Sequence, residues 1–574
     1  MSFILFDTED NSRELMESGQ SGFDKKVTLI AAVTAGGERY LNKGDTGAFL
    51  DWLIKRPEKF IYCLNLQYDL GNLFSTELDA FDCTLVGGRM IKALWKNKVF
   101  LDVFNIWPMS VKALGKKFGL KKLEFDARSE EYVFRDCEII RRAMMFAHDF
   151  ANEMGIENVP PTLGGLCVKV WKKMGGVNVH DSCELSRRAL FGGRVELFKR
   201  VNEVERVFAG EKAVAGVAWT DVNSLYPHVM RNKFPGQLED CGGELATYGI
   251  ADVTIKLPKT DVGCLPYRTK EGEILYGYGT VRGVWAICEI NAAIERGSKI
   301  VAVHECQGSN DGFYCYSEFV SVHYERRKNS SDEAERQFLK LLMNNLFGRL
   351  AASGMIGRTV WQDDARQIEG VYFGKKVLAE YSMPLSEETN WSHAAYVTAY
   401  GRMELLRYME AVGTDRMIYC DTDSCIFDCA DGKLPFVCSN ELGEMKLERC
   451  CSVCGNKYPH DDPCNGSIGL DFWGGAEVFA PKMYRVGTDY KAKGVPKRKA
   501  REFIETGKAS YDMPFKYREA VRFYDPRNDS QGRTIKGNAR QLSVWREVVK
   551  ENKQSYRRKK LVGNRYLPCD LSRK

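Results

Sequence analysis

Two carboxylates flank a threonine at Asp421-Thr422-Asp423, between the β-type runs 416–420 and 424–427. This pattern predicts a tight hairpin with both acids at its tip. Acids held that close repel each other unless a cation lies between them. A third acid, Asp221, ends the apolar run 214–220 and precedes a turn that closes on Pro227. Asp221, Asp421 and Asp423 make an oxygen-only donor set of the kind that suits Mg²⁺. Two such ions about 3.5–4 Å apart stabilise the attacking and leaving oxygens of phosphoryl transfer. Alone, each fragment reads more simply as a strand-end cap or a solvated turn.

A second set of acids lies near the N-terminus. The run Ile4-Leu5-Phe6 ends in Asp7-Thr8-Glu9, and the period of two puts Asp7 and Glu9 on one side of a strand. Residues 64–69 read as another strand-like run, ending at Asp69. Tyr132 and Asp136 stand one helical turn apart where a helical run opens. Four acids gathered on two metal ions, with a tyrosine to orient water, suit phosphodiester hydrolysis.

The elements that must position these groups follow from periodicity and turn chemistry. Residues 1–150 alternate strand-like and helical runs, an α/β pattern. Val159-Pro160-Pro161-Thr162-Leu163-Gly164-Gly165 reads as a domain boundary. A helical stretch covers about 316–347. Within it Ser330-Ser331-Asp332-Glu333 looks like a capping box. Phe338, Leu341, Leu342 and Leu346 form an apolar stripe, while Arg336, Lys340 and Asn344 share another face. A basic face beside a carboxylate–metal cluster is what a nucleoside triphosphate requires. Residues 352–390 are rich in Gly and strand formers, as an inserted excursion would be, and two basic helical segments are expected around 498–508 and 540–560.

In their order, these segments resemble the A, B and C motifs of the B-family DNA polymerases. The family's D-x-x-S-L-Y-P is matched from Asp221 to Pro227, and its Y-x-D-T-D-S from Tyr419 to Ser424. Its K-x-x-x-N-S-x-Y-G is matched from Lys340 to Gly348, with Asn345 for Ser and Phe347 for Tyr. The resemblance implies that Asp221 and Asp423, helped by the Val222 carbonyl, bind two catalytic Mg²⁺ ions, with Mn²⁺ as an alternative. Asp421 would support metal or primer-end geometry. Lys328 and Lys340 would hold the triphosphate, and Asn344 and Phe347 would line the nascent base pair. Tyr226 would exclude a 2′-hydroxyl from the sugar site. Lys482 and Tyr484 resemble the K-x-Y element at the primer terminus, and Lys493 lies in the basic turn that follows it. Gly192 and Gly193 resemble a Y-x-G-G linker motif, with Leu190 where the family has Tyr. In the first half, Asp7, Glu9, Asp69, Asp136 and Tyr132 resemble the DEDD-type 3′→5′ exonuclease motifs. Asn65 and Tyr68 would then contact a frayed 3′ end.

The implied fold is a multidomain α/β and α+β protein, an RNase H-like exonuclease followed by a right-hand polymerase. The expected divisions are an exonuclease over 1–158, a linker and palm start over 159–220, and palm with an insertion over 221–315. Fingers at 316–350, a strand-displacement insertion at 351–390, palm at 391–490 and a basic thumb at 491–574 complete the list. Compactness and the short B-motif helix look most like the protein-primed branch of small phages, viruses and linear plasmids. That branch implies DNA template and primer, dNTPs and a terminal protein as partners, for a monomer. An ordinary nucleic-acid primer, or none, is the rival within the family. A standalone exonuclease or a DNA-binding replication subunit is the rival outside it.

Charge and cysteine content bear on the same reading. Residues 491–574 hold 24 Lys and Arg against 9 Asp and Glu, so the rest of the chain is acidic although the whole carries +6. A basic tail on an acidic body suggests a polyanionic partner. Nineteen Cys in 574 residues fall far short of a disulfide scaffold. With no secretory signal and no membrane-spanning run, a cytoplasmic location, the host's if the protein is viral, is expected. Cys451, Cys454, His460 and Cys464 have spacing that suits structural Zn²⁺, against the alternative of a reduced, unliganded loop.

Overall fold

The computed structural model describes residues 2–11, 14, 26–74, 80–86, 89–177, 179–199, 208–209, 212–213, 217–352, 355–361, 371–373, 376–382, 387–429, 434–451, 457–458, 469–470, 476–480, 482–486, 489–492, 495, 500–502, 515–523, 542–550, 560–562 and 565–573. The chain forms two compact units. The first comprises residues 1–176, 322–386 and 518–546, and the second 177–321, 387–517 and 547–574.

The first unit is built on a ten-stranded sheet. Phe3–Asp10 is a central strand, paired in parallel with Phe60–Cys63 and antiparallel with Val27–Thr34. Phe60–Cys63 pairs in parallel with Lys98–Asp102. Apolar residues at alternate positions, including Ile4, Phe6, Ile30, Ile61 and Phe100, pack with the helix Thr46–Lys55 in one core. On the opposite face Leu29, Ala31 and Val33 meet Val133 and Cys137 of the long helix Glu130–Glu153. Ser129 caps that helix by accepting from the Tyr132 amide.

The segment expected to end in a strand at Asp69 does not. The strand stops at Cys63, Asn65 takes a left-handed conformation at φ 75°, and Leu66–Leu73 is a helix. Its first amides are satisfied from a distance. Asp102 Oδ1 accepts from Asn65 N at 2.9 Å and Oδ2 from Leu66 N at 3.2 Å. Helix Glu333–Leu350 packs against helix Leu163–Lys173, and Phe338 sits among Trp107, Phe146 and Phe150. Its cap is Asp332, which accepts from the Ala334 amide at 2.7 Å, in place of a serine-led capping box. The excursion after it is strand-rich as expected: Met355–Trp361 and Lys376–Ser382 form a hairpin, and Met355–Trp361 also pairs with Asp82–Val86. The helical expectation around 540–560 fails, because Leu542–Lys550 is a strand.

The second unit holds a five-stranded sheet in the order Met445–Leu447, Val217–Val222, Ser424–Asp428, Met417–Asp421, Val195–Leu197. A four-stranded sheet, Glu239–Asp240, Lys299–Ser309, Tyr248–Leu257 and Gly279–Ala286, covers a second core around Ala251, Val253, Ile255 and Trp285. Leu571, near the C-terminus, is buried in that core. The helix Trp391–Val412 is buried over much of its surface, with Ser392, His393, Thr398 and Arg402 among its buried residues. No described helix is long and apolar enough to cross a membrane.

Candidate active sites

In the first unit, the strand Phe3–Asp10 delivers Asp7 and Glu9, and the helix Glu130–Glu153 delivers Asp136. One ligand atom from each lies within 4.8 Å of the others. Asp69 joins them through the backbone of the same strand, since its Oδ1 accepts from Thr8 N at 3.0 Å and Thr8 Oγ1 at 2.7 Å. Asn72 Nδ2 donates to Thr8 Oγ1 at 2.8 Å, which fixes the hydroxyl's direction. Tyr68 donates to Asp10 Oδ2 at 2.6 Å, and Asn65 is exposed at the helix entry.

The electrostatics of this cluster are those of anions short of a counter-ion. Burial, then repulsion from Asp136, pushes Asp7 up to about 7. Burial, then repulsion from Asp7 and Asp136, pushes Glu9 up to about 8. Burial, then Asp7, drives Asp69 well above the usual carboxylate range. Asp69 Oδ2 and Asp136 Oδ1 are buried without a hydrogen-bond partner. Buried orphan oxygens on clustered acids are what a divalent cation satisfies, so the donor set fits Mg²⁺. Lys122, which the sequence reading passed over, ion-pairs with Asp136 and stands 4.6 Å from the centre of the Tyr132 ring. It offsets part of the negative charge and holds the tyrosine beside the acids. Nothing local marks Lys122 out within its basic stretch, and Thr8, Asn72 and Asp102 carry no motif either.

In the second unit, the predicted hairpin tip forms. Asp421 and Ser424 are opposite residues, and Thr422 adopts φ 62° in the turn. The strand Val217–Val222 runs alongside, with Asp221 opposite Ser424 and the Val222 amide donating to the Asp423 carbonyl at 2.7 Å. Residues 221 and 423, two hundred positions apart in sequence, therefore meet at one end of the sheet, the first in a strand and the second in the turn. Asp421 is differently engaged. Lys482 Nζ reaches its Oδ1 at 2.7 Å, Tyr419 donates to Oδ2 at 3.3 Å, and the Tyr419 oxygen accepts from Lys482 N at 2.8 Å. Tyr484 packs 5.5 Å from Tyr419 and 6.0 Å from Trp219.

Two buried arginines fasten this tip from behind. The Arg194 carbonyl accepts from Thr422 N at 2.7 Å, and Arg194 Nε donates to the buried Glu196 at 2.6 Å. A Cβ on Gly193 would lie 2.6 Å from the Thr422 side chain, so only glycine allows this approach. Arg402 pairs with Glu289 at 2.7 and 2.8 Å and donates to the carbonyls of Phe191 and Gly192. Arg194 closes the linker segment that holds the two glycines, whereas Arg402 falls in no motif named from the sequence. Tyr226 lies within electrostatic reach of Arg402, Asp423 and Asp421.

The remaining expected residues fall elsewhere. Lys328 is in the last turn of the helix Ser317–Asn329, and Lys340 and Asn344 are exposed on Glu333–Leu350, with Phe347 half-buried. Cys454, His460, Cys464 and Lys493 lie outside the described residues. Of Cys451 only the backbone is described, in a strand that pairs with Gly469–Leu470.

A family model described as DNA polymerase type B, organellar and viral, matches residues 119–369. The DNA-directed DNA polymerase of Enterobacteria phage PRD1 is 25% identical over 445 residues, 70% of this chain and 72% of its own length. Over residues 119–369 the chain is thus similar to the type B DNA polymerases of the organellar and viral group. The polymerase is also 24% identical over 411 residues to the primer-independent DNA polymerase PolB of Escherichia coli, covering 59% of this chain and 45% of that one. Its fold matches that of phi29 DNA polymerase in the orthorhombic crystal form, with a TM-score of 0.68 at 15% identity over 96% of this chain and 100% of that one. The phi29 complex with primer-template DNA and incoming nucleotide gives 0.67 at 16% identity, with coverage of 96% and 99%. Asp7, Glu9, Asp69 and the Asp421–Asp423 turn lie outside the family-matched span, so their geometry is an independent argument.

Proposed function

We propose that this polymerase extends a DNA primer with dNTPs at the Asp221–Asp423 site and removes mispaired 3′ ends at the Asp7–Glu9–Asp69–Asp136 site. The observation that carries the reading is the pairing of Val217–Val222 with Ser424–Asp428, which brings Asp221 and the turn residue Asp423 to one end of the sheet. Divalent ions bound there would neutralise the triphosphate and the developing charge. The chain's own residues orient the reactants. Asp421, held by Lys482 and Tyr419, supports the primer terminus, and Lys482 and Tyr484 bear on its backbone without reading sequence. Tyr226 bounds the sugar of the incoming nucleotide. Lys328, Lys340, Asn344 and Phe347 serve the triphosphate and nascent base pair. In the exonuclease site Tyr132, steadied by Lys122, orients the attacking water, while Asn65 and Tyr68 hold the frayed end.

Asp423→Asn should abolish primer extension with Mg²⁺ or Mn²⁺ and leave 3′→5′ digestion intact, and Asp7→Ala with Glu9→Ala should do the reverse. Loss of digestion with Asp423→Asn would overturn the division of labour.

The resemblance of the motifs to the protein-primed branch favours initiation on a terminal protein, and likeness to a polymerase named primer-independent favours a start without any primer. We take the protein-primed reading first, for a monomer replicating a viral or plasmid genome in the host cytoplasm. Incubation with labelled dNTP, with and without the candidate terminal protein, separates them: a covalent nucleotide–protein adduct supports the first, and free labelled product without either primer supports the second. Structural Zn²⁺ at the cysteine-rich segment remains part of the proposal, tested by metal analysis of the purified chain.

A further inference from the structure

Thr422 lies between the two acids of the hairpin tip with φ 62°, in the left-handed region. For a β-branched residue that conformation is an outlier, because the side chain crowds its own backbone. A two-residue hairpin loop ordinarily places Gly or Asn at a positive φ. The hydrogen bonds describe the same tight reversal. The Asp423 amide donates back to the Asp421 carbonyl at 2.7 Å. A bond between residues i and i+2 around a centre of positive φ is the pattern of the rare, strained form of the γ-turn.

Such strain persists only where the surroundings over-determine it. Here they do so from several directions. The strand Val195–Leu197 pairs with Met417–Asp421, with Val195 opposite Asp421. That ladder runs one step further, since the Thr422 amide donates to the Arg194 carbonyl at 2.7 Å. Arg194 is itself immobilised. Its side chain is buried, its Nε donates to Glu196 at 2.6 Å, and its Nη1 donates to the Gly263 carbonyl at 2.9 Å. Its guanidinium stands 3.9 Å from the centre of the Tyr276 ring. Beyond the turn, the Asp423 carbonyl accepts from the Val222 amide at 2.7 Å. The Thr422 side chain sits on Gly193, where a Cβ would come within 2.6 Å of both Cγ2 and Oγ1. Its hydroxyl donates to Asp421 Oδ1 at 3.2 Å, the oxygen that Lys482 also holds. Glycine would make this turn without strain. A branched side chain has few rotamers, and seated on Gly193 it stiffens the tip.

We propose that Thr422 is a positioning residue: its strained, branched side chain, seated on Gly193, fixes the angle between the carboxylates of Asp421 and Asp423, and so where Asp423 stands relative to Asp221. This rests on the reading of Asp221 and Asp423 as the pair that serves primer extension. Thr422 acts through the two acids.

The test compares Thr422→Gly, Thr422→Val and Gly193→Ala in the full chain. Thr422→Gly keeps the turn and removes its stiffness. It should lower kcat for primer extension at least about tenfold, as a small misplacement of reacting groups does. It should also raise several-fold the Mg²⁺ concentration that gives half-maximal extension. Strain relief in the folded chain and wider freedom of the unfolded chain oppose each other. The denaturant midpoint in EDTA should therefore stay close to the wild-type value, and 3′→5′ digestion should be retained. Thr422→Val keeps the branch and loses only the hydroxyl, so it should extend within a few-fold of wild type. Gly193→Ala should lower extension as Thr422→Gly does, yet cost little further in the Thr422→Gly background, where the side chain it meets is gone. A midpoint or a digestion rate that falls in step with extension would make Thr422 a general fold determinant and overturn the positioning role. So would wild-type extension and Mg²⁺ dependence in Thr422→Gly, or an equal loss from Gly193→Ala in both backgrounds. A loss in Thr422→Val as large as in Thr422→Gly would transfer the effect to the hydroxyl and overturn the role of the branch. If Asp423→Asn leaves extension intact, it is the reading of the acid pair that falls.

Discussion

At the scale of single residues, the raised acids of the Asp7–Glu9–Asp136 cluster make stability depend on pH in a definite direction. Asp7 and Glu9 are pushed up to about 7 and about 8 by burial and mutual repulsion, from ordinary values near 4. Between those limits the folded chain holds protons that the unfolded chain has lost. This contribution to stability is fully present below about pH 4 and disappears as pH rises through 7 to 8. The metal-free protein should therefore melt lower at pH 8.5 than at pH 6, and Asp7→Asn with Glu9→Gln should flatten that dependence. Mg²⁺ should recover more of the melting temperature at pH 8.5 than at pH 6, because only the ionised acids bind it well. Thermal melts in EDTA and in Mg²⁺ check both. A pH slope identical in wild type and variant would dissociate the cluster from the effect. Periodicity puts Asp7 and Glu9 on one side of a strand and Tyr132 and Asp136 on one face of a helix, and the resemblance to the exonuclease motifs singles these residues out from other strand-end acids. Lys122 is not singled out, because its partner Asp136 and the Tyr132 ring lie on a helix whose packing no local pattern specifies.

At the scale of elements, the least legible piece was the helix Leu66–Leu73 that carries Asp69. Residues 64–69 have strand-like composition, and the helix begins only because Asn65 turns left-handed and Asp102 supplies the cap from the end of another strand. That cap lies 37 residues away from Asn65 in sequence, beyond any window of local propensity. The strand Leu542–Lys550 was misread for a related reason, since its Lys and Arg spacing suits a helix while its β-branched residues suit a strand. Hairpin 417–428 was legible because its turn chemistry and its two apolar arms are contiguous. Asp102→Ala should cost about 1–3 kcal/mol by stranding buried amides. It should also depress digestion at least tenfold by letting Asp69 swing, while extension persists. Denaturant melts with paired digestion and extension assays check this. Equal loss of both activities would mark Asp102 as a general fold determinant and not a support for Asp69.

At the scale of the whole chain, motif order was readable, but the grouping of residues 322–386 with 1–176 was not, because it arises from pairings across long stretches of sequence. One of those pairings leads to a test. Met355–Trp361 and Lys376–Ser382 pair with each other at seven opposed positions, and among the described residues Met355–Trp361 joins the sheet of the first unit at Gly357 opposite Leu85 and Arg358 opposite Thr84. The element prolongs a sheet whose next strand, Asp82–Val86, would otherwise be an edge. The resemblance implies that this insertion serves strand displacement. If so, replacing residues 355–382 with a flexible linker should reduce synthesis through a downstream duplex by at least tenfold. Gap filling on a single-stranded template and 3′→5′ digestion should be retained, since none of the acids of either site lies in the segment. The closure entropy of the substituted loop changes only slowly with length, so it will not by itself unfold the unit. Extension assays on nicked and on gapped templates, run beside digestion, separate the outcomes. Undiminished synthesis through duplex would remove the displacement role, and loss of gap filling as well would show that the hairpin supports polymerisation itself.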